Sequence, residues 1–335
     1  MTGERLGMSM ILVTGGAGYI GSHVVKELLR KGRQPLVYDN LQTGHREAAK
    51  DAPFVEGDLA DPARLRKVFQ SYPIHSVMHF AADCLVGESV ENPLKYFINN
   101  VKNSLQLLEI ICDFNIRKFI FSSSAAVYGE PRGIPIPEDH PCQPKNPYGE
   151  TKWIFEKVLR AFHESGRIDF ISLRYFNATG ADPDGEIGED HPLETHLVPI
   201  CLRSALTGNP VSIFGTDYDT PDGTCIRDYI HVTDLAQAHI LALEKIENQG
   251  NSAIYNLGNG SGYSVREVIE TARKVTGREI TTIESERRPG DPARLVAGSE
   301  KIRGELGWMP EYPDLETIVE TAWRWQRSHP GGYRS

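Results

Sequence analysis

Tyr148 and Lys152 are the two residues whose types and spacing most directly suggest chemistry. They lie four positions apart, so a helix would place the phenol and the ammonium on one face. A tyrosine is a weak base because its pKa is ordinarily about 10, but a nearby cation stabilises the phenolate and lowers that pKa. The pair therefore predicts a general base that deprotonates a sugar or alcohol hydroxyl. The alternative is an exposed helix pair that contributes roughly a few tenths of a kcal/mol.

Ser122, Ser123 and Ser124 follow an apolar run that is typical of a buried strand. Open α/β sheets bind ligands beyond the carboxyl ends of their strands. One of these hydroxyls is therefore expected to bond the reacting oxygen and to pass its proton to Tyr148. The serines could equally satisfy the polar end of a strand, and composition does not say which of them points inward.

A glycine-rich turn near the N-terminus predicts a dinucleotide site. Gly15, Gly18 and Gly21 form the turn, which lies between an apolar run and a helical pattern. Without side chains there, backbone N–H groups at the start of the helix can approach a pyrophosphate, which the helix dipole also favours. A glycine turn without a ligand is the alternative. Asp39 ends the next strand, where a carboxylate accepts hydrogen bonds from a ribose 2′-OH and repels a 2′-phosphate, so NAD is predicted rather than NADP.

Alternating strand and helix patterns predict an α/β fold with a doubly wound parallel sheet of the Rossmann type and a second, smaller mixed α/β substrate lobe. Asn146 is the expected N-cap of the Tyr148 helix, and Pro147 its first residue. Asp58 follows a short strand and is expected either to reach an adenine or to act as a turn acid. The first helix is expected over residues 23–31. The predicted strands are residues 11–13, 36–38, 54–55, 76–80, 118–121, 169–173, 227–231 and 253–257.

These patterns divide the chain into a loose extension at residues 1–9 and two interleaved parts. The NAD-binding domain is predicted over residues 10–176, with later returns near 226–258. Residues 177–335 are predicted to form mainly the substrate lobe, because their Gly, Asp and Pro content loosens the strand and helix pattern.

Composition excludes several classes of function. A net charge of −9 over 335 residues argues against nucleic acid as the main partner. Five scattered cysteines without a C-x-x-C pair predict neither a zinc site nor a disulfide framework, and they fit a reducing, cytoplasmic location. No apolar run is long enough to cross a bilayer, so no membrane partner is expected.

Several motifs together resemble the extended short-chain dehydrogenase/reductase family, and within it the branch that epimerises nucleotide sugars at C4. The motifs are the glycine turn with Tyr19 and Ile20, the Ser124 segment, the Tyr148/Lys152 pair, residues 174–177 and residues 227–231. The resemblance runs from Ile11 to the last Gly-Tyr pair. It implies a tightly bound NAD that is not consumed and the interconversion of UDP-glucose and UDP-galactose.

The resemblance also implies roles for individual residues. Ser124, Tyr148 and Lys152 would be catalytic: Tyr148 removes the O4 proton while C4 gives a hydride to NAD, and the bound 4-keto sugar rotates before the hydride returns. Implied cofactor-binding residues are Gly15, Gly18, Tyr19, Ile20, Gly21, Asp39, Asn40, Asp58, Leu59, Phe80, Ala81, Asn99, Ser122, Tyr148, Lys152 and Tyr175. Implied substrate-binding residues are Ser124, Tyr148, Asn177, His196, Leu197, Phe214, Arg227, Arg288 and Asp291. No metal is implied.

Three positions depart from the common family pattern. Cys84 stands where many members carry a lysine near the nicotinamide, which would weaken cofactor retention. His196 stands where asparagine is common at the substrate edge, and is expected to be a substrate contact or a structural histidine. Leu295 falls at the position that gates sugar size, where tyrosine goes with unsubstituted hexoses and smaller residues admit N-acetylated ones. Leucine is intermediate, so acceptance of N-acetylated sugars stays open.

Other activities compete with this reading. An epimerase of another UDP-sugar, such as an N-acetylhexosamine or a pentose, shares the chemistry. A nucleotide-sugar 4,6-dehydratase needs an extra acid beside Ser124, where this chain has Ala125 and Ala126. A silent NAD-binding scaffold would lack the catalytic set. The resemblance further implies a homodimer in which a helix starting near Asn92 and the Tyr148 helix form a four-helix bundle. The apolar series of the first helix could equally be internal core; its members are Leu94, Phe97, Ile98, Val101, Leu105 and Leu108.

Overall fold

The computed structural model describes residues 9–288 and 290–334, so residues 1–8 of the predicted N-terminal extension lie outside the described part. The strands are β1 Met10–Thr14, β2 Pro35–Asp39, β3 Phe54–Glu56, β4 Ile74–His79, β5 Lys118–Ser124, β6 Asp169–Tyr175, β7 Asn177–Thr179, β8 Val211–Phe214, β9 Ile226–His231, β10 Ala253–Leu257, β11 Gly262–Ser264, β12 Thr282–Ser285 and β13 Arg294–Leu295. The helices are α1 Tyr19–Arg30, α2 Pro62–Ser71, α3 Val86–Glu91, α4 Pro93–Tyr96, α5 Asn103–Asp113, α6 Pro147–Glu164, α7 Leu197–Thr207, α8 Val232–Gln249, α9 Val265–Thr276, α10 Glu300–Leu306 and α11 Leu315–Ser328. A π-helical segment, Phe97–Lys102, joins α4 to α5.

A seven-stranded sheet in the order β10-β6-β5-β4-β1-β2-β3 forms the centre of the molecule. All of its neighbouring strands pair in parallel, which confirms the predicted doubly wound Rossmann-type fold. One face is covered by α1 and α8, whose apolar side chains share a core cluster with Trp308. The other face is covered by α2, α5 and α6. The chain winds outward in both directions from β1 and β4, which makes their carboxyl ends the topological switch point.

The remaining strands form smaller sheets beside this core. In one of them β9 pairs with β11, β13 and β7, and in the other β8 pairs with β12. Helices α7, α9 and α11 enclose a separate apolar cluster there. The predicted strand at residues 227–231 therefore belongs to a small sheet, whereas the one at residues 253–257 returns to the central sheet as β10. None of the described helices combines the length and the apolar character needed to span a bilayer.

Two element boundaries differ from the predictions in ways that matter for function. Helix α1 begins at Tyr19 rather than at residue 23, because Gly18 serves as its N-cap and the last glycine of the turn lies inside the first helical turn. Strand β5 continues to Ser124, so the three serines belong to the strand itself. The start of α6 is as predicted: Pro147 is its first residue, and Asn146 Oδ1 accepts a hydrogen bond of 2.8 Å from the Gly149 N–H.

A buried ion pair joins α6 to the central sheet. Arg174 on β6 donates to both carboxylate oxygens of Glu156, at 2.9 Å and 2.5 Å, and both side chains are almost fully buried. The Ser123 hydroxyl donates to the same carboxylate at 2.5 Å, and Arg174 also donates to the Tyr128 hydroxyl at 2.9 Å. The satisfied network fixes α6 against the strand that ends at Ser124.

Replacing Glu156 by alanine should lower the free energy of unfolding by about 3–5 kcal/mol, because the substitution leaves the Arg174 guanidinium buried without a counter-charge. Urea unfolding followed by circular dichroism measures this loss. Glu164→Ala, at an exposed position on the same helix, is the matched control and should change stability by less than about 0.5 kcal/mol. Equal losses in the two variants would show that the network carries no special weight.

Candidate active site

The predicted site residues gather at one edge of the central sheet because parallel strands share the direction of their carboxyl ends. Ser124 lies beside Tyr175 in the pairing of β5 with β6. Thr14, which precedes the glycine turn, lies between Tyr38 on β2 and His79 on β4. The turn, the serines and the end of β6 therefore line a single edge.

The glycine turn is shaped by close backbone approaches. Gly15 has φ +73°, and a Cβ atom there would lie 2.5 Å from the Ala81 nitrogen. A Cβ at Gly21 would lie 2.1 Å from the Gly15 oxygen. At Gly18, by contrast, the nearest atom would be at an ordinary 3.4 Å, and no side chain caps the start of α1. The turn thus needs two of its glycines for its own geometry, whereas the third leaves the helix N-terminus open to an anionic ligand, as a dinucleotide pyrophosphate requires.

Asp39 holds the glycine turn against the end of β2. Its carboxylate accepts hydrogen bonds from the Ala17 N–H at 3.0 Å and the Leu41 N–H at 2.8 Å. Burial raises the pKa of Asp39, and these two backbone donors oppose the shift. Next to it, the Asn40 amide donates to the Asp58 carboxylate at 2.8 Å. The structure thus assembles the acids predicted to bind the adenosine half of the cofactor.

Leu59, also predicted to contact the cofactor, is 5% exposed and packs into the core beneath the site. Phe80 and Ala81 follow β4 and donate their backbone N–H groups to the Thr14 carbonyl at 2.9 Å and 3.1 Å. The predicted Asn99 donates to the Asp83 carboxylate at 2.9 Å.

Asn100 is a site residue that sequence reasoning missed. Its side chain accepts a hydrogen bond from the Asp83 N–H at 2.8 Å and donates to the Asp83 carbonyl at 2.9 Å and to the Thr151 hydroxyl at 3.1 Å. Asn100 thereby ties the loop that contains Cys84 to Thr151, the residue that precedes Lys152. Asn100 lies in the π-helical segment, where the wider turn changes the spacing of side chains along the helix. A regular helical period in the sequence therefore does not show which way Asn100 points.

The predicted catalytic pair, Tyr148 and Lys152, lies four residues apart on α6, and burial dominates the pKa values of both side chains. Lys152 Nζ donates to the Ser122 carbonyl at 2.8 Å and lies 5.8 Å from the centroid of the Tyr148 ring. Burial raises the pKa of Tyr148, partly opposed by a hydrogen bond with Ser124. Burial also lowers the pKa of Lys152, to about 8. The net shift of the Tyr148 pKa is therefore upward, because enclosure penalises the charged form of both groups, and the contribution of Lys152 stays a prediction.

Each of the three serines has a different partner. The Ser122 hydroxyl bonds the Tyr175 hydroxyl, and the Ser123 hydroxyl bonds Glu156. Ser124, the last residue of β5, accepts from the Ala126 N–H at 3.2 Å and is the serine that meets Tyr148. Composition left open which serine points toward Tyr148. Because β5 extends to Ser124, it is this last serine that does so.

Cys84 introduces no positive charge next to the catalytic pair. Cys84 is exposed as a whole residue, and its thiol lies near enough to Tyr148 and Lys152 to influence the pKa of both. Enclosure by the surrounding loop raises the pKa of Cys84 itself, which keeps the thiol protonated at neutral pH.

The predicted substrate residues of the second lobe form neighbouring pairs. Arg227 forms an ion pair with Asp291, and the Arg288 guanidinium lies 4.0 Å from the centroid of the Phe214 ring. The Asn177 amide donates to the Asp228 carbonyl at 2.9 Å, which joins the start of β7 to β9.

Leu295 connects this lobe to the catalytic edge. It lies beside Arg227 in the pairing of β13 with β9, and it packs against the apolar cluster of Ala125, Val127 and Tyr128 that directly follows Ser124. Position 295 therefore lies beside the strand that carries Arg227 and against the segment that follows Ser124.

His196 is the N-cap of α7, and Leu197 is the first residue of that helix. Its imidazole bonds the Glu189 carboxylate, which also lies 3.2 Å from His191. Burial alone would lower the pKa of His191, but hydrogen bonds to Glu189 and Glu194 raise this pKa to about 11. Sequence reasoning singled out His196 alone. The alternation Glu-x-His-x-x-Glu-x-His over residues 189–196 was the signal that would have found the other three.

Comparison with known proteins places these features in a family. The family model described as NAD-dependent epimerase/dehydratase matches residues 11–258. The chain is 54% identical to a UDP-glucose 4-epimerase of Halalkalibacterium halodurans over 96% of this chain and 97% of that protein. A crystal structure of a UDP-glucose 4-epimerase superimposes with a TM-score of 0.95 at 52% identity, covering 98% of this chain and 100% of the other. The structure of the Bifidobacterium longum UDP-glucose 4-epimerase with NAD⁺ and UDP gives 0.92 at 39% identity, covering 97% and 100%.

The lowered pKa of Lys152 predicts a specific dependence of stability on pH. Between pH 8 and 10.5, the ordinary lysine value, the folded chain binds fewer protons at this site than the unfolded chain, so the free energy of unfolding rises with pH across that window. Lys152→Met removes this contribution. The free energy of unfolding of the variant minus that of the parent should therefore be about 3 kcal/mol larger at pH 7 than at pH 10.5. Urea unfolding at several pH values measures the difference. Lys157→Met, at an exposed position on α6, is the control and should show no such trend; a pH-independent difference for Lys152→Met would contradict the assignment.

Proposed function

This chain belongs to the NAD-dependent epimerase/dehydratase family, and we propose that it interconverts UDP-glucose and UDP-galactose through transient oxidation at C4 with a retained NAD. The observation that carries the proposal is the convergence of Ser124, Tyr148 and the open glycine turn at one sheet edge, in a chain similar over nearly its whole length to UDP-glucose 4-epimerases. The activity belongs to galactose and carbohydrate metabolism.

NAD fits the glycine turn and the acids beside it. The start of α1 would hold the pyrophosphate at Gly18, and Asp39 would bond the adenosine ribose through lone pairs that its two backbone donors leave available. Lys152, Tyr175 and the Ser122 segment would hold the nicotinamide end. When bound, NAD⁺ supplies a hydride acceptor for C4 and a positive charge beside the phenol.

Tyr148 and Ser124 remove and return the proton of the sugar C4 hydroxyl. The C4 hydroxyl of the sugar bonds the Ser124 hydroxyl, which keeps it next to the phenol, and Tyr148 accepts the O4 proton as the carbonyl forms. Lys152 is held by the Ser122 carbonyl on the same side of the cleft, where it supports the phenolate once a second positive charge is present. Tyr148 then returns the proton to O4 after the sugar has presented its other face.

The second lobe holds the nucleotide while the hexose turns. Arg227 and Arg288 offer guanidinium donors suited to diphosphate oxygens, and Phe214 provides an aromatic surface beside Arg288. Asn177, His196, Leu197 and Asp291 complete the proposed set. Because Arg227 and Asp291 already pair with each other, substrate phosphate would compete for a guanidinium that is oriented before binding.

Incubation of the purified chain with UDP-galactose, without added NAD, tests the function. We expect UDP-glucose to form. Tyr148→Phe should lower turnover by about 10²–10⁴-fold, whereas the amount of NAD that denaturation releases from the purified protein should stay unchanged. Tyr72→Phe, just before β4 at the opposite edge of the sheet, is the control and should keep full turnover.

Other outcomes of the same assay would replace the proposal. A 4-keto-6-deoxy product would indicate a dehydratase, and no product with any UDP-sugar would indicate a silent scaffold. Faster turnover of UDP-N-acetylhexosamines or UDP-pentoses than of UDP-hexoses would assign a different sugar, with Leu295 as the residue to exchange.

We also propose a homodimer in which the helical stretch that starts near Asn92 and α6 form a four-helix bundle across a two-fold axis. Val90, Leu94, Ile98 and Leu105, in and beside that stretch, are 62%, 67%, 42% and 38% exposed. Leu108, which the sequence placed in the same apolar series, is core. An exposed apolar stripe of this length is typical of a helical interface.

Leu94→Glu should therefore convert a two-chain species to a one-chain species in sedimentation equilibrium, because a buried carboxylate without a partner opposes association. Met309→Glu, at an apolar side chain that is 76% exposed elsewhere, is the control and should leave the mass unchanged. A parent protein that sediments as one chain would remove the homodimer.

A cytoplasmic location is the final part of the proposal. It is supported by the five cysteines, all of which lie in the described part of the chain as free thiols, as suits a reducing compartment.

A further inference from the structure

Four side chains in the segment before α7 converge on one point. Glu189, His191, Glu194 and His196 each offer one ligand atom, and these atoms all lie within 4.8 Å of one another. We propose that this cluster is a structural site for a zinc-type divalent transition-metal ion. The proposal does not depend on the proposed function.

The spacing of the donor atoms matches tetrahedral coordination. With metal–ligand bonds of 2.0–2.1 Å, neighbouring ligand atoms in a tetrahedral zinc site lie about 3.3 Å apart. His191 Nδ1 lies 3.2 Å from a Glu189 oxygen and 3.5 Å from the Glu194 oxygen that faces it, and the four ligand atoms all lie within 4.8 Å of one another. The direct bond between His196 and Glu189 must lengthen to admit an ion.

The carboxylates of the cluster are buried in a way that calls for a cation. The Glu189 and Glu194 side chains are only 5% and 2% exposed. Within residues 9–288 and 290–334, no lysine or arginine forms an ion pair with either of them, and the two histidines are their partners. Two buried carboxylates this close need positive charge beside them, which protonated His191 and His196 supply in the absence of an ion and which a divalent ion supplies when both imidazoles are neutral ligands.

The ligands are already oriented by contacts outside the cluster. One Glu194 oxygen accepts the backbone N–H groups of Thr195 and His196, both at 2.8 Å, which leaves the other oxygen to face His191. The Glu189 carbonyl accepts from the Trp325 indole N–H at 3.3 Å. Such outer contacts fix the geometry of metal ligands in known sites.

The donor set selects the kind of ion. Two imidazole nitrogens and two carboxylate oxygens suit zinc and similar borderline ions, whereas Mg²⁺ and Ca²⁺ prefer oxygen ligands alone. Four protein ligands leave no open position, which indicates a structural rather than a catalytic ion. Bound there, the ion would fix the segment that leads into α7. His191 in that segment lies edge-on to Tyr19, which follows the glycine turn, with ring centroids 6.3 Å apart.

Titration calorimetry of the chelator-treated full chain with ZnCl₂ tests the site. We expect one zinc per chain by elemental analysis, a rise in the unfolding temperature, and no response to MgCl₂. Co²⁺ substituted for zinc should give the intense visible bands of four-coordinate cobalt. The weak bands of six-coordinate cobalt, or the absence of zinc binding, would overturn the proposal.

Matched variants locate the ion. His191→Ala and Glu194→Gln should each weaken zinc binding at least ~100-fold. Glu194→Gln keeps the side-chain size, so it decides the matter if His191→Ala fails to fold by circular dichroism. His163→Ala, which removes a histidine beside the single carboxylate of Asp169, and Cys84→Ser should bind zinc like the parent. Unchanged binding in Glu194→Gln, or loss in Cys84→Ser, would place the ion elsewhere and overturn the assignment.

Discussion

Enclosure of the cleft at the carboxyl ends of β5 and β6 is the constraint on which the chemistry of this molecule depends. Desolvation drives the half-buried Tyr148 phenol and the buried Lys152 ammonium toward their neutral forms. The same enclosure strengthens any charge that enters later, because interactions between charges grow as the local dielectric constant falls. In the proposed mechanism, a cationic cofactor therefore favours the phenolate of Tyr148, which couples deprotonation to the presence of the hydride acceptor.

That arrangement requires α6 to be fixed independently of any ligand. The buried pair of Glu156 and Arg174 does so from within the sheet, and Ser123 is part of it rather than of the reaction. Asn100 does the same from the other side by tying the loop of Cys84 to Thr151. A rigid support of this kind lets the cleft remain enclosed without moving the phenol away from Ser124.

The sequence predicted the features that follow from local rules. The alternation of apolar runs gave the parallel sheet, and the Asn-Pro start located α6 to the residue. The assignment of three adjacent serines to three partners could not be predicted, because it depends on where β5 ends and on Glu156, which lies 33 residues further along the chain. The direction of the Tyr148 pKa shift was missed for a related reason: charge spacing can be read from a sequence, but the extent of enclosure cannot. The residues of the substrate lobe were assigned by resemblance, since ion pairs such as Arg227 with Asp291 join distant segments.

Retention of a dinucleotide does not have to rest on the cation that Cys84 replaces. The glycine turn and the start of α1 are joined to the second half of the chain by the Tyr19 hydroxyl, which donates to the Gly180 carbonyl at 2.7 Å, and by Lys26, which pairs with Asp182 at 2.7 Å. His45, in the loop after β2, hydrogen-bonds the Asp190 carbonyl at 3.0 Å, and the Asp190 carboxylate accepts from the Tyr333 N–H near the C-terminus at 3.0 Å. These contacts tie the start of α1 to the second half of the chain, and opening them exposes several polar groups together. One missing ammonium changes the affinity for a ligand by a single interaction, whereas these contacts hold the backbone of the turn in place, so binding at the turn does not rest on that one charge.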